Sequence, residues 1–459
     1  MQLPPALLQS LKGLPGFDAD AFVIVHEQAQ PPTSVRINTN KFTLTDAVAH
    51  FRSLGIETSA VPWCNSGLYL SKRPSFTFDP LFHAGCYYVQ EASSMFIGYL
   101  LQQHAPLHQP LRVLDLSAAP GGKSTHLQNL LSTESLLVCN EVVKSRAAVL
   151  KDNIIKWGAH NTVITQNDPA DFARLPLFFD VVLIDAPCSG SGLFRRDASA
   201  MRAWAPDAVR FCAARQQRIL THALPALKQD GLLIYSTCSY SFEENEAIVK
   251  LLMQQGFMPL ATPVHDAWGL AESEGGSYRF YPYKLKGEGF FAAAFCKTTG
   301  GAVSHLPEKK LTPATRAHAA LLQKSIALEG LNLYAFGDTL HACPQHLQTS
   351  LAQFTFALKA HYAGVALGEV MNQKLVPEHA LAMSLLPHNH PPLLLSYDDA
   401  IAYLQRANLN IPAAGKGWHT ASHKNKTLGW CNVLPNRINN YYPKGLRILK
   451  ASAGSDLHK

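Results

Sequence analysis

The sequence predicts an α/β protein built on a doubly wound parallel sheet, and three observations predict it. Between residues 111 and 238, short β-branched runs alternate with longer stretches of helical spacing, as strands covered on both faces alternate with crossover helices. The runs end in small, acidic or thiol-bearing residues, and strand ends are where such sheets bind ligands. Hydrophobic residues make up 47% of the chain, ordinary for a globular protein, and charged residues only 16%, which argues against extended disorder.

The 459 residues amount to roughly three domains at about 150 residues each. Residues 1–105 mix helical and strand signals, including SVRINTNKF at 34–42 and the apolar AGCYYVQEASSMFIGYLL at 84–101. The domain expected over 106–298 follows, with strands at LRVLDLS (111–117), LLVCNEV (136–142), NTVITQND (161–168), FDVVLIDAP (179–187) and GLLIYSTC (231–238). SRAAVLKDNIIKWG after the second strand and DAVRFCAARQQRILTHALPALK before the fifth carry helical spacing. Apolar runs at 259–264 and 289–297 are expected to add antiparallel edge strands. The Gly-, Pro- and Lys-rich stretch ending at Pro313 reads as a linker over 299–313. Residues 314–390 form a less patterned intermediate region, and 391–459 a basic module.

The net charge of +7 is unevenly placed. Residues 1–300 carry 25 basic and 25 acidic side chains, so the whole excess lies beyond them. Residues 401–459 hold nine basic residues and one acid, Asp456. A basic appendage on a neutral body suits a polyanion, because Lys and Arg displace counterions from phosphates. Trp418, Trp430, Tyr441 and Tyr442 are interleaved with that charge, which argues for a folded module and suits RNA, whose unstacked bases lie on aromatic faces.

Nine cysteines with no C-x-x-C pair suggest neither a disulfide framework nor a zinc ribbon. No H-E-x-x-H occurs, and His388 and His390 lie between prolines in an expected surface loop, so no metal is expected. The longest apolar runs, such as FFAAAFC at 290–296, fall short of the roughly 20 residues a membrane-crossing helix needs. MQLPPALLQSLKGLPG has neither the basic leader nor the cleavage pattern of a secretion signal. A cytoplasmic location with no membrane partner is expected.

The first strand ends in DLSAAPGGKST, whose Ala118, Ala119, Gly121 and Gly122 let backbone amides approach a ligand. A dinucleotide site would want G-x-G-x-x-G, which is absent, and a Walker loop would want glycine where Ser117 stands. Glu141, ending the second strand, is placed to accept ribose hydroxyls, and Asp168, ending the third, to lie near an adenine. Together these residue types describe an adenosine site without a pyrophosphate requirement, which S-adenosylmethionine fits. The fourth and fifth strands end in DAPCSGSG and YSTCSYS, so Cys188 and Cys238 are expected to face one pocket. A thiolate adding to carbon-6 of cytosine makes carbon-5 able to attack a sulfonium methyl group, and the second thiol can assist collapse of the adduct. Asp185 beside them can hydrogen-bond the pyrimidine edge. Ser241 and Glu244 have the spacing of a capping box for the helix after Cys238.

DLSAAPGGKST, DVVLIDAPCSGSGLFRRD and GLLIYSTCSYSFEENEAIV resemble the signature blocks of the Sun/NSUN family of RNA cytosine-5 methyltransferases. VRINTNK resembles that family's N-terminal block and RFYPYKLKGEGFFAAAF its last catalytic block. LGWCNVLPNRINNYYPKGLRI is similar to the PUA-like end of RsmF-type bacterial members, which modify small-subunit ribosomal RNA. The resemblance implies an RRM-like RNA-binding element over 1–105, an S-adenosylmethionine-dependent methyltransferase domain over 106–298 and a PUA-like domain over 391–459. It implies that Ala118, Ala119, Pro120, Gly121, Gly122, Lys123 and Ser124 form the methionine-side cofactor loop, that Glu141 holds the ribose, that Asp168 lies near the adenine, and that Asp185 sits between cofactor and base. Cys238 would be the nucleophile and Cys188 the thiol needed for product release, the reverse of the DNA cytosine-5 enzymes. Arg36 and Asn38, with Lys416, Lys424, Lys426 and Arg437 of the basic module, are the expected RNA contacts. Pro169 stands where the family has a small residue, and Tyr283 where a histidine is expected.

The activity implied is methylation of cytosine carbon-5 in 16S ribosomal RNA, with the rRNA or the small subunit as partner. The alternatives are a tRNA or 23S rRNA enzyme of the same chemistry, a catalytically silent RNA-binding assembly factor, and a DNA enzyme attacking through Cys188.

Overall fold

The computed structural model describes residues 3–28, 30–301, 306–412 and 415–450. Part of the expected linker, and the end of the basic module with Asp456, lie outside the described residues.

Strands β1 (Thr33–Ile37), β2 (Thr58–Val61), β3 (Cys64–Leu70) and β4 (Tyr87–Val89) form an antiparallel sheet in the order β2-β3-β1-β4. A helix over Leu44–Ser53, capped by Thr43, joins β1 to β2, and a short helix over Pro80–His83, capped by Asp79, precedes β4. The resulting β-α-β-β-α-β arrangement is the ferredoxin-like topology of an RRM-like element.

The central sheet carries the parallel strands β5 (Arg112–Asp115), β6 (Leu136–Asn140), β7 (Thr162–Thr165), β8 (Phe179–Asp185) and β9 (Leu227–Thr237) in the order β9-β8-β5-β6-β7. The order reverses between β5 and β8, which opens a crevice at their carboxyl ends. Helices over Gly122–Leu130, Lys144–Trp157 and Pro206–Ala223 supply the crossovers. Side chains on both faces of the strands are buried, Val113, Leu137 and Leu183 in one core and Leu114, Val138 and Val182 in the other.

The antiparallel edge consists of β10 (Phe257–Pro259), β11 (Ala271–Ser273), β12 (Ser277–Phe280) and β13 (Phe290–Lys297). The strand expected over 259–264 is instead Phe257–Pro259, and Pro263 lacks the amide that a continuing ladder needs. On the opposite edge, Ala360–Ala363 pairs antiparallel with β7. The segment 314–390 is thus no freestanding body: it gives one strand to the catalytic sheet and folds the rest into an antiparallel sheet that includes Leu331–Phe336, Thr339–Pro344, Val365–Met371 and Lys374–Pro377.

The C-terminal sheet is formed by Pro392–Leu394, Gly417–His423, Lys426–Leu434 and Arg437–Asn440. Leu393, Tyr403 and Leu428 from this end share a core with Val35, Phe51 and Leu68 of the N-terminal sheet, so the two ends of the chain pack together. Among the described residues no helix is long and apolar enough to cross a membrane.

Candidate active site

The loop after β5 is held from several sides. Gly121 has φ +109, a conformation that favours glycine, and it precedes the helix over Gly122–Leu130. Arg146 Nη2 donates to Ala119 O at 2.7 Å and Asn153 Nδ2 to Pro120 O at 2.9 Å, while Ala118 N donates to Asn140 O at 2.8 Å. Ser124 Oγ donates to Asp115 Oδ2 at 2.7 Å. Burial pushes the Asp115 carboxyl up to about 7. Of the expected loop residues, Lys123 reaches furthest: its Nζ donates to Asp185 Oδ2 at 2.8 Å. Burial works against its ammonium, but the Asp185 carboxylate outweighs it and holds the pKa above the usual lysine range.

Glu141 and Asp168 line one cleft with apolar Leu116, Val142 and Pro187 and with Arg146, Arg215 and Arg218. Glu141 is buried, accepts from Val143 N at 2.9 Å and lies 3.4 Å from Arg146. Asp168 is exposed and caps the short turn over Pro169–Arg174 by accepting from Ala170 N at 3.0 Å. Pro169 is the buried first residue of that turn and also lines the cleft beside Asp168.

Cys188 and Cys238 meet across the ends of β8 and β9, their Sγ atoms 3.1 Å apart. The S–H···S contact with Cys238, together with burial, holds the Cys188 thiol well above its usual range. Asp185 ends β8, with Oδ1 accepting from Ser236 Oγ at 2.7 Å.

The capping box expected of Ser241 and Glu244 does not form. Ser241 makes no side-chain cap bond, and the buried Glu244 carboxylate reaches across to the other thiol loop. It accepts from Ser189 N at 2.8 Å, Ser189 Oγ at 2.6 Å, Ser239 Oγ at 2.5 Å and Gln216 Nε2 at 3.2 Å. Ser189 and Ser239 each follow one of the two cysteines, so Glu244 ties the thiol loops together. The S-x-x-E spacing was a signal for Glu244, but it pointed to the local partner; Ser189, Ser239 and Gln216 carried no signal of their own.

Two expected RNA contacts are turned inward and a third, Lys426, is half-buried. Arg36 is fully buried: Nε donates to Gln90 Oε1 at 2.8 Å and Nη2 to Thr125 Oγ1 at 2.6 Å, and the guanidinium stacks 4.6 Å from the Trp157 ring. Asn38 is buried and donates to Gly85 O and Trp157 O, both at 3.0 Å. Lys426 Nζ donates to Lys41 O at 2.5 Å, which makes it a link between the two ends of the chain. The donors of Arg36 and Asn38 are engaged inside the fold, whereas Lys426 is half-buried and spends one of its three N–H donors on Lys41 O. Lys416, Lys424 and Arg437 are exposed, Lys424 at the tip of a hairpin. Tyr283 donates to Gly16 O at 2.6 Å and accepts from Asp18 N at 2.9 Å, a packing role within the N-terminal contact. Among the described residues no cluster of His, Cys, Asp or Glu is arranged to hold a metal ion.

A doubly wound sheet with this loop at its switch point defines a methyltransferase fold of the Rossmann-like class. Residues 99–296 match the family described as 16S rRNA methyltransferase RsmB/F, residues 3–92 the N-terminal domain of 16S rRNA methyltransferase RsmF, and residues 392–448 the methyltransferase RsmF PUA domain. The chain belongs to the RsmB/F family and is an rRNA methyltransferase. It is 30% identical over 470 residues to the Ribosomal RNA small subunit methyltransferase F of Salmonella newport (strain SL254), an alignment covering 93% of this chain and 96% of that one. Among solved structures, a methyltransferase homolog protein from Pyrococcus horikoshii superposes with a TM-score of 0.52 at 30% identity, over 64% of this chain and 100% of that one. NSun6 from Pyrococcus horikoshii, solved with SFG, shares the fold with a TM-score of 0.56 at 21% identity, over 64% and 98%.

Proposed function

We propose that the enzyme methylates carbon-5 of a cytosine in 16S rRNA, in the cytoplasm, with S-adenosylmethionine as methyl donor and the rRNA or small subunit as partner. When bound, the donor supplies an electrophilic methyl group. The observation that carries the reading is the 3.1 Å approach of the Cys188 and Cys238 sulfurs at the end of the strand that carries Asp185.

Cys238, as thiolate, adds to carbon-6, and the displaced π electrons make carbon-5 nucleophilic toward the methyl group. Loss of the carbon-5 proton then re-forms the double bond and expels the Cys238 thiolate. A methyl group has replaced one hydrogen, and one proton is released. Cys188 keeps its proton at rest, because its contact with Cys238 and its burial hold the pKa up, and it serves the collapse step. Asp185, oriented by Ser236 and Lys123, hydrogen-bonds the pyrimidine edge. Ala118 to Ser124, Glu141 and Asp168 hold the donor, and the exposed Lys416, Lys424 and Arg437 remain the RNA contacts of the basic module. We read boundaries in the chain near residues 105, 298, 313 and 390, with the segment 314–390 packed into the catalytic sheet rather than standing alone.

Two cysteine variants test this. Cys238→Ala should abolish methyl transfer, and Cys188→Ala should accumulate a covalent RNA adduct visible as a gel shift that survives denaturation. A Cys188→Ala enzyme that turns over normally would sink the two-thiol mechanism. Bisulfite sequencing of 16S rRNA from cells with and without the gene identifies base and position together; unchanged cytosines throughout would remove the substrate assignment.

A further inference from the structure

We propose that a basic cleft between the N-terminal sheet and the thiol-bearing loops carries the ribose-phosphate backbone of the RNA strand that presents the target base. This rests on the chain being an rRNA methyltransferase and adds where the substrate lies. The cleft has a volume of about 900 Å³ and is lined on one side by Lys72 and Arg73, and on the other by Arg195, Arg196 and Lys286. No acidic side chain is among its lining residues.

Its charge is arranged in two tiers. Lys72, Arg73 and Lys286 are exposed at the rim, and Lys286 Nζ sits 4.6 Å from the Tyr69 ring centroid. Beneath them, Arg195 Nη2 donates to Gln30 O at 3.1 Å and Arg196 Nη2 to Pro32 O at 2.7 Å, which fixes both guanidinium groups across the gap between the two regions. The buried Glu288 lies behind them, 3.7 Å from Arg195 and 3.4 Å from Arg196. Burial pushes its carboxyl up to about 7, so it offsets less than one of the two positive charges near neutral pH. The cleft presents cations and no exposed aromatic face, since Tyr69 is buried. Such a surface positions phosphates and leaves base recognition to the pocket.

The cleft shares its walls with the catalytic loops. Arg195 and Arg196 continue the segment that begins at Cys188. Gly287, which lines the cleft, is two residues from Gly289. Gly289 abuts the thiol loops so closely that a Cβ on Gly192 would stand 2.3 Å from Gly289 O and 2.8 Å from Cys238 O. A strand lying in the cleft would therefore border the loops that carry the thiols, and the base that leaves its stack would be delivered from that side.

The test uses the full-length chain and a 16S rRNA transcript, with binding measured from about 50 to about 300 mM salt. Lys72→Glu with Arg73→Glu, and Lys286→Glu separately, should each weaken binding. The expected loss is about five-fold per contact at about 0.1 M salt, with a shallower log–log salt slope by about 0.7 per contact, as for single strands. S-adenosylmethionine binding by the same variants should match wild type, which shows that the catalytic domain is folded. Wild-type binding beside unchanged affinity and slope in both variants would overturn the cleft while leaving the rRNA reading standing. A wild-type chain that fails to bind the transcript would overturn both.

Discussion

Arg36 Nη2 donates to Thr125 Oγ1 at 2.6 Å, and this bond ties the N-terminal sheet to the helix that follows the β5 loop. The same guanidinium reaches Gly122 O at 3.2 Å and Thr125 O at 3.3 Å, so it satisfies carbonyls at the start of that helix. Arg36→Met leaves those acceptors and Gln90 without their donor in a buried site. The expected cost is about 1 to 3 kcal/mol of stability, that of leaving a buried acceptor unsatisfied, read as a fall in the denaturant midpoint. The salt slope of RNA binding should stay at the wild-type value; a slope change without loss of stability would return Arg36 to the RNA-contacting residues.

Glu244 holds the two thiol loops in register, and Glu244→Gln replaces an acceptor with a group that must aim hydrogens at some of the donors from Ser189, Ser239 and Gln216. A misplacement of about 1 Å costs on the order of 100-fold in rate, so single-turnover methyl transfer should fall by about that factor. Affinity for S-adenosylmethionine should hold, because none of these bonds belongs to the β5 loop. A single-turnover rate within about three-fold of wild type would contradict the clamp.

Stability should depend on pH through Asp115. Its carboxyl is pushed up to about 7 by burial, above the unfolded value of about 4. A carboxyl raised in the folded state stabilises the fold below its unfolded pKa, and that contribution is lost as pH rises through the folded one. The effect is at most roughly 4 kcal/mol between about pH 4 and pH 7. Glu288, also raised to about 7, acts in the same direction. Asp115→Asn should therefore flatten part of the decline, measured as urea midpoints at about pH 5 and pH 8. Parallel curves for variant and wild type would exclude Asp115 as the source.

Ala360–Ala363 covers the β7 edge of the central sheet. A chain ending at residue 313 would bare that edge, and an unpaired strand is a template for pairing with another chain. The truncated protein should self-associate beyond the state of the full chain on size exclusion. A truncation that elutes and binds S-adenosylmethionine like a compact, unassociated domain would show the edge to be protected by other means.

Much of the catalytic sheet was legible in the sequence because its strands are continuous apolar runs that end in Asp185, Cys188 and Cys238, chemistry with few structural uses. Arg36 was not legible as a buried residue. VRINTNK reads as polar and basic, and what buries Arg36 is a helix whose Thr125 lies 89 positions away. Glu244 was misassigned for a related reason. A local cap and a contact with Ser189, 55 positions away, demand the same residue type, and only tertiary packing decides between them. The strand Ala360–Ala363 has no run of its own to announce it, since AHYA becomes a strand by pairing with β7.

The C-terminal sheet is secured twice, by the shared core that joins Leu393, Tyr403 and Leu428 to the N-terminal sheet and by the preceding segment's strand on β7. A reader on a flexible leash would search a volume set by its tether. Here the hairpin that carries Lys424 is tied by that core to the N-terminal sheet and, through the preceding segment, to the sheet that carries the thiols. On the proposed function, an RNA that touched both Lys424 and the thiols would need the matching span, so its folded shape would count before any base was drawn out.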